Sequence, residues 1–144
     1  MTTIGAVSAP PDFLAILDRV AVALDAIVAG DPGPYAALWA DIDDVTLYGA
    51  WGTTERGHER VTRTFTWVAS RFSDGTMEPP EYTVVVVSGG LGLTVGVERG
   101  VARVDGGPLQ PITLRVTHGF RLLDGRWWLT HRHADHPPVD QRTL

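Results

Sequence analysis

The hydrophobic periodicity of this chain changes once, near Tyr82, and that change restricts the fold more than any other feature. Before it, apolar residues recur at helical spacing. Phe13, Leu17, Val20, Leu24 and Ile27 predict an amphipathic helix, opened by Pro10-Pro11-Asp12 and stopped by Gly30. Asp31 predicts the cap of a short second helix carrying Tyr35, Leu38 and Trp39, ended by the acidic cluster 41–44. Residues 45–48 alternate like a strand, and 49–57 read as a loop. In the next segment Thr62, Thr64 and Thr66 suit a strand, but Val61, Phe65, Val68 and Phe72 keep helical spacing over eleven residues. That length predicts a third helix.

After Tyr82 the period is two, in runs 82–87, 91–104, 112–123 and 127–134, separated by glycine turns. Helices first and an antiparallel meander afterwards predict an α+β fold with the helices on one face of the sheet. Gly92, Gly96 and Gly100 in one long strand predict strong curvature. The chain of 144 residues has no linker-like composition and no repeat, so a single domain over 1–144 is expected, with 1–9 and 137–144 as flexible termini.

Composition narrows the function classes. A formal charge of −5 without a basic run argues against nucleic acid and against an anionic membrane surface, leaving a small molecule or a protein as partner. The absence of cysteine excludes a disulfide framework, a zinc-thiolate site and a thiol nucleophile. With neither a signal peptide pattern nor an apolar stretch of about 18 residues, the expected location is cytoplasmic.

Alternation separates each strand into two faces, and an ionisable residue inside an apolar row requires an explanation. Leu93, Val95, Val97, Arg99 and Val101 form one row; Ile112, Leu114, Val116, His118, Phe120 and Leu122 form another. Arg99 and His118 are therefore the leading site candidates, facing a cavity lined by the sheet. The alternative is structural: Arg99 pairs with a core carboxylate and His118 bonds a carbonyl. What lies beside His118 depends on the hairpin. A two-residue turn at Asp124-Gly125 pairs it with His131, together with Trp127, Leu129 and His133. A three-residue turn with a glycine bulge supplies Trp128, Thr130, Arg132 and Ala134 instead.

Gly30-Asp31 with Tyr35, the segment 44–48, Gly57, the run Leu114-Arg115-Val116-Thr117-His118, and Asp124-Gly125-Arg126-Trp127 through His131-Arg132-His133-Ala134-Asp135 together resemble the SnoaL-like branch of the nuclear transport factor 2 superfamily. The resemblance spans about residues 12–138. Its close is also similar to the association domain of calcium/calmodulin-dependent protein kinase II. The fold this implies is a cone: a curled antiparallel sheet packed on three N-terminal helices, with a pocket inside and commonly a homodimer formed through the outer sheet face. By the same resemblance His118 matches the oxyanion-hole aspartate of ketosteroid isomerases, and Arg99 matches a pocket arginine of the association domain. It favours the three-residue turn, because pocket residues of relatives match Thr130 and Ala134. Gly49 replaces the isomerase base and Ala23 lies near its tyrosine, so ketosteroid isomerisation is not expected.

Two functional readings follow. In the first, a cofactor-free cyclase, isomerase or dehydratase acts on a small, largely apolar carbonyl or carboxylate compound, with a neutral His118 as base and Arg99 stabilising developing negative charge. Tyr48 and Trp51 close over the ligand, and Val116, Phe120, Trp128, Thr130 and Arg132 line the pocket. This reading requires Arg99 and His118 to share one cavity. In the second, the domain is a non-catalytic dimer that binds a ligand or assembles. His131, His133 and His136 are not read as a metal site; Trp127, Leu129, His131 and His133 are expected at a subunit interface. No metal or other cofactor is expected in either reading.

Overall fold

The computed structural model describes residues 3–4 and 7–143; residues 1, 2, 5, 6 and 144, part of the termini expected to be flexible, lie outside them. Two short strands, β1 (Thr3–Ile4) and β2 (Val7–Ser8), pair with each other ahead of the helices. Helix α1 (Pro11–Val28) starts on a proline, whose missing N–H would have no intrahelical partner at that position. Its apolar stripe, Phe13, Leu17, Val20, Leu24 and Ile27, is buried against the sheet. Two side-chain bonds fix it there: Trp127 Nε1 donates to Asp12 at 3.1 Å, and the Met77 amide donates to Asp25 at 2.7 Å. Asp31 accepts the Gly33 amide at 2.9 Å and leads into α2 (Gly33–Ala36).

The ambiguous threonine segment is helix α3 (His58–Arg71). The hydroxyls of Thr62, Thr64 and Thr66 each donate to the carbonyl four residues back, so these β-branched residues are accommodated within the helix. Between α2 and α3 lie β3 (Thr46–Tyr48) and β4 (Thr54–Arg56); the second falls inside the stretch expected to be loop and pairs antiparallel with β3. Strand β5 (Phe72–Met77) was also not expected, because Ser73-Asp74-Gly75 lacks alternation and Phe72 continues the helical pattern. Strands β6 (Glu81–Ser88), β7 (Leu91–Val104), β8 (Leu109–Leu123) and β9 (Arg126–Asp135) correspond to the four period-two runs.

These seven strands form one curled, unclosed sheet in the order β4-β3-β9-β8-β7, with β5 and β6 sharing the far edge of β7. The pairing of β3 with β9 is parallel; the other ladders are antiparallel. Gly96 of β7 lies so close to the Glu81 carbonyl that a Cβ would collide with it, beside the register shift between Tyr82 and Val84 in β6. That close approach is one physical reason for glycine in this strand.

The β8–β9 hairpin combines features of both expected registers. Its turn is the two-residue one, Asp124 at φ 51° and Gly125 at φ 76°, pairing Leu123 with Arg126. Beyond it, Thr130 is an extra residue: Phe120 pairs with Leu129, but Gly119 pairs with His131 and His118 with Arg132. The bulge moves β9 by one register step, so Trp127 and Leu129 on one side of it, and Arg132 and Ala134 on the other, are all buried. The interface row expected from Trp127, Leu129, His131 and His133 is thereby divided, its first two members belonging to the core.

Candidate functional site

The helices and the concave face of the sheet enclose a cavity of about 370 Å³, walled by Leu24, Ile27 and Val28 of α1, Phe65 and Val68 of α3, and Ile112 and Leu114 of β8. Three polar side chains enter this apolar lining from buried positions: Tyr35 at 1% exposure, Glu98 at 3% and Arg132 at 8%. Arg132 Nη1 and Nη2 donate to the two carboxylate oxygens of Glu98 at 2.8 and 2.9 Å, a bidentate pair. Arg132 Nη1 also lies 3.2 Å from His118 Nε2, and the Tyr35 hydroxyl lies 2.6 Å from that same nitrogen. Arginine cannot accept a hydrogen bond, so Nε2 is the unprotonated nitrogen and Tyr35 donates to it as well.

Burial fixes the protonation states. It holds the His118 pKa well below the ordinary histidine value, reinforced by Arg132, and raises that of the Tyr35 phenol far above its usual range despite Arg132. The proton therefore stays on the tyrosine. Burial alone would weaken the Arg132 cation, but the Glu98 carboxylate more than offsets it and raises its pKa. The base of the cavity holds one negative charge, one positive charge and two neutral groups.

Arg99 is not among them. It points to the outer surface, its side chain 44% exposed and paired with Glu81 at 2.5 Å. The expectation reversed the faces of β7: in the observed register Thr94 opposes His118 and Glu98 opposes Leu114, so Gly92, Thr94, Glu98 and Ala102 face inward while Leu93, Val95, Val97 and Arg99 face outward. The expected pairing of Arg99 with His118 in one cavity is overturned, because the connection from Val104 to Leu109 sets which face of β7 joins His118. A further correction concerns His118 as base. Its lone pair already receives two donors, and the side chain lies behind Tyr35 and Arg132 rather than in the cavity wall.

The other expected pocket residues separate. Trp51 is at the mouth, stacked on Phe72 with ring centroids 5.1 Å apart, and the Arg71 guanidinium lies 4.2 Å above its ring. Asp105 holds Arg71 in turn at 2.8 Å. Tyr48 is outside, its ring edge-on to both His131 and His133, because the β3–β9 pairing sends Leu47 inward instead. Phe120 belongs to the core, packed edge-on against Phe13 at 4.9 Å, and Val116 is buried in the sheet without reaching the cavity wall. Thr130 is used by the bulge, where its hydroxyl donates to the Gly119 carbonyl. Trp128 lies with Trp39 and His58 along a shallower depression of about 570 Å³. Among the described residues no group of three metal-binding side chains converges.

Sequence reasoning missed Glu98 and Tyr35. Glu98 was detectable in principle, since any hairpin connection that pairs even-numbered β7 residues with even-numbered β8 residues puts it on the face of His118. Tyr35 carries no such signal, since its spacing with Leu38 and Trp39 is that of helix packing.

A family model for the SnoaL-like domain matches residues 20–130. The chain belongs to the SnoaL-like family. No curated protein matches this SnoaL-like protein. Among solved structures, it is similar to a proposed calcium/calmodulin-dependent protein kinase II association domain from Xanthomonas campestris, at TM-score 0.74 and 18% identity over 96% of this chain and 95% of that one. A proposed dehydratase of the NTF2-like family from Streptomyces avermitilis matches at 0.68 and 22%, over 90% and 100% of the two chains. A ketosteroid isomerase-like protein from Erwinia carotovora atroseptica matches at 0.69 and 19%, over 89% and 100%. At these identities the likeness shows the fold.

Proposed function

We propose that this SnoaL-like protein binds a small, largely apolar, oxygen-bearing ligand in the cone cavity. The observation that carries the reading is a buried Glu98–Arg132 pair lining a mostly apolar space of about 370 Å³, a size and composition suited to a small molecule. A core needing only to be filled gains nothing from a desolvated ion pair.

Catalysis is a second reading, supported by one feature: Glu98 is a carboxylate at the cavity wall and can take a proton from an acidic C–H or O–H, while Arg132 keeps the site neutral before the transfer. This gives cofactor-free proton chemistry of isomerase, cyclase or dehydratase type, carried by Glu98 instead of His118. The bidentate hold of Arg132 on both Glu98 oxygens favours binding alone. We also propose a homodimer through the outer sheet face, where Val84, Val86, Leu91 and Leu93 lie exposed in adjacent strands.

Native mass spectrometry of the purified protein tests the ligand reading. A retained small molecule, lost on filling the cavity with Leu114→Trp, is the expected result; a wild type that takes up no small apolar compound overturns it.

A further inference from the structure

The buried polar groups of the cavity are engaged largely with one another. Arg132 commits two of its five N–H groups to Glu98 and a third to His118, and the Tyr35 proton and the His118 lone pair are committed to each other. Each Glu98 oxygen accepts from Arg132 and, having two lone-pair directions, retains a second. What faces a ligand from Glu98 is acceptor capacity. The charge balance points the same way. Glu98 and Arg132 cancel, and a second anion would be placed against the Glu98 carboxylate at a site whose cation is already shared. The guanidinium beside the mouth, Arg71, is engaged by Asp105.

We propose that the cavity selects a neutral ligand whose polar end is a hydroxyl donated to Glu98, and that it rejects the carboxylate of the same skeleton. The proposal rests on the cavity being a ligand site, and it replaces the carbonyl or carboxylate end of the expected ligand class by a hydroxyl. Rejection follows from repulsion and desolvation: a buried carboxylate without its own cation costs several kilocalories, whereas a hydroxyl meets a waiting acceptor.

The test is a titration of the wild type with 2-naphthol and with 2-naphthoate at mildly alkaline pH, where the first is neutral and the second anionic. The Trp51 indole resonance is followed by NMR. The naphthol is expected to bind tighter by about tenfold or more. In Glu98→Gln the preference is expected to invert, because Arg132 becomes an unmatched cation; the same spectra show whether that variant is folded. Equal or tighter binding of 2-naphthoate to the wild type overturns the proposal and leaves the cavity a ligand site. If neither compound shifts the cavity resonances, both the proposal and the ligand reading fall.

Discussion

Glu98 and Arg132 bury opposite charges at 3% and 8% exposure, so each depends on the other. Removing one partner leaves a desolvated charge; Glu98→Ala or Arg132→Ala is expected to cost about 3–5 kcal/mol in urea unfolding, whereas Glu98→Leu with Arg132→Met recovers most of it. A double variant as unstable as the worse single variant would contradict this account. His118 adds a pH dependence. Its folded pKa lies below the ordinary value, so between the two values the unfolded chain binds a proton that the native protein does not. Stability is therefore expected to fall as pH drops below about 6.5, by at most about 1.4 kcal/mol per unit from this residue, levelling off below the folded pKa. Thermal melts of the wild type and His118→Gln across that window check it: the variant should have the flatter profile, with His131, also depressed by partial burial, contributing to what remains.

At the scale of elements, the inserted Thr130 decides what β9 contributes to the interior. Were Thr130 paired opposite Gly119 instead of bulged out, the two-residue turn would carry its register through to His118, bringing His131 opposite and turning Arg132 to the outer face. Deleting Thr130 removes the extra residue and leaves Gly119 opposite His131 and His118 opposite Arg132, so the Glu98–Arg132 pair is expected to survive, at a cost in urea unfolding below the roughly 3–5 kcal/mol of an unpaired buried charge. A destabilisation as large as that of Arg132→Ala, with the Trp51 indole shift lost, would show that the bulge itself, and not the register beyond it, holds Arg132 inward. The helices were legible element by element because Phe13 through Ile27 and Val61 through Phe72 repeat with one period. Strands β4 and β5 were not: three residues cannot establish a period, and β5 is an edge strand whose ladder with β7 is interrupted between Ser73 and Thr76.

Across the whole molecule, both faces of β7 carry hydrophobic material: inward it meets α1 and the cavity, outward Leu93 and Leu91 are 40% and 62% exposed beside Val86 at 47%. An exposed apolar sheet face of this kind suits self-association. Val86→Lys with Leu93→Lys is expected to convert a dimer to a monomer in light scattering while leaving the melting temperature of the monomer nearly unchanged, since neither side chain is in the core. A wild type that is monomeric at micromolar concentration would remove the dimer reading. No helix among the described residues is long and apolar enough to cross a membrane.

By itself the sequence determined the α+β class, the three helices and the four long strands, because these depend on periodicity within one segment. The SnoaL-like cone could be expected from the motifs that span the chain. Only the tertiary structure decided which ionisable groups meet. Glu98 rather than Arg99 faces His118 because of how β7 joins β8, and Arg132 rather than His131 does so because of one inserted residue in β9. Side chains alternate along a strand, so a register step too small to disturb the periodicity exchanges every residue on a face. The site is written in the pairing between strands, which no single strand records.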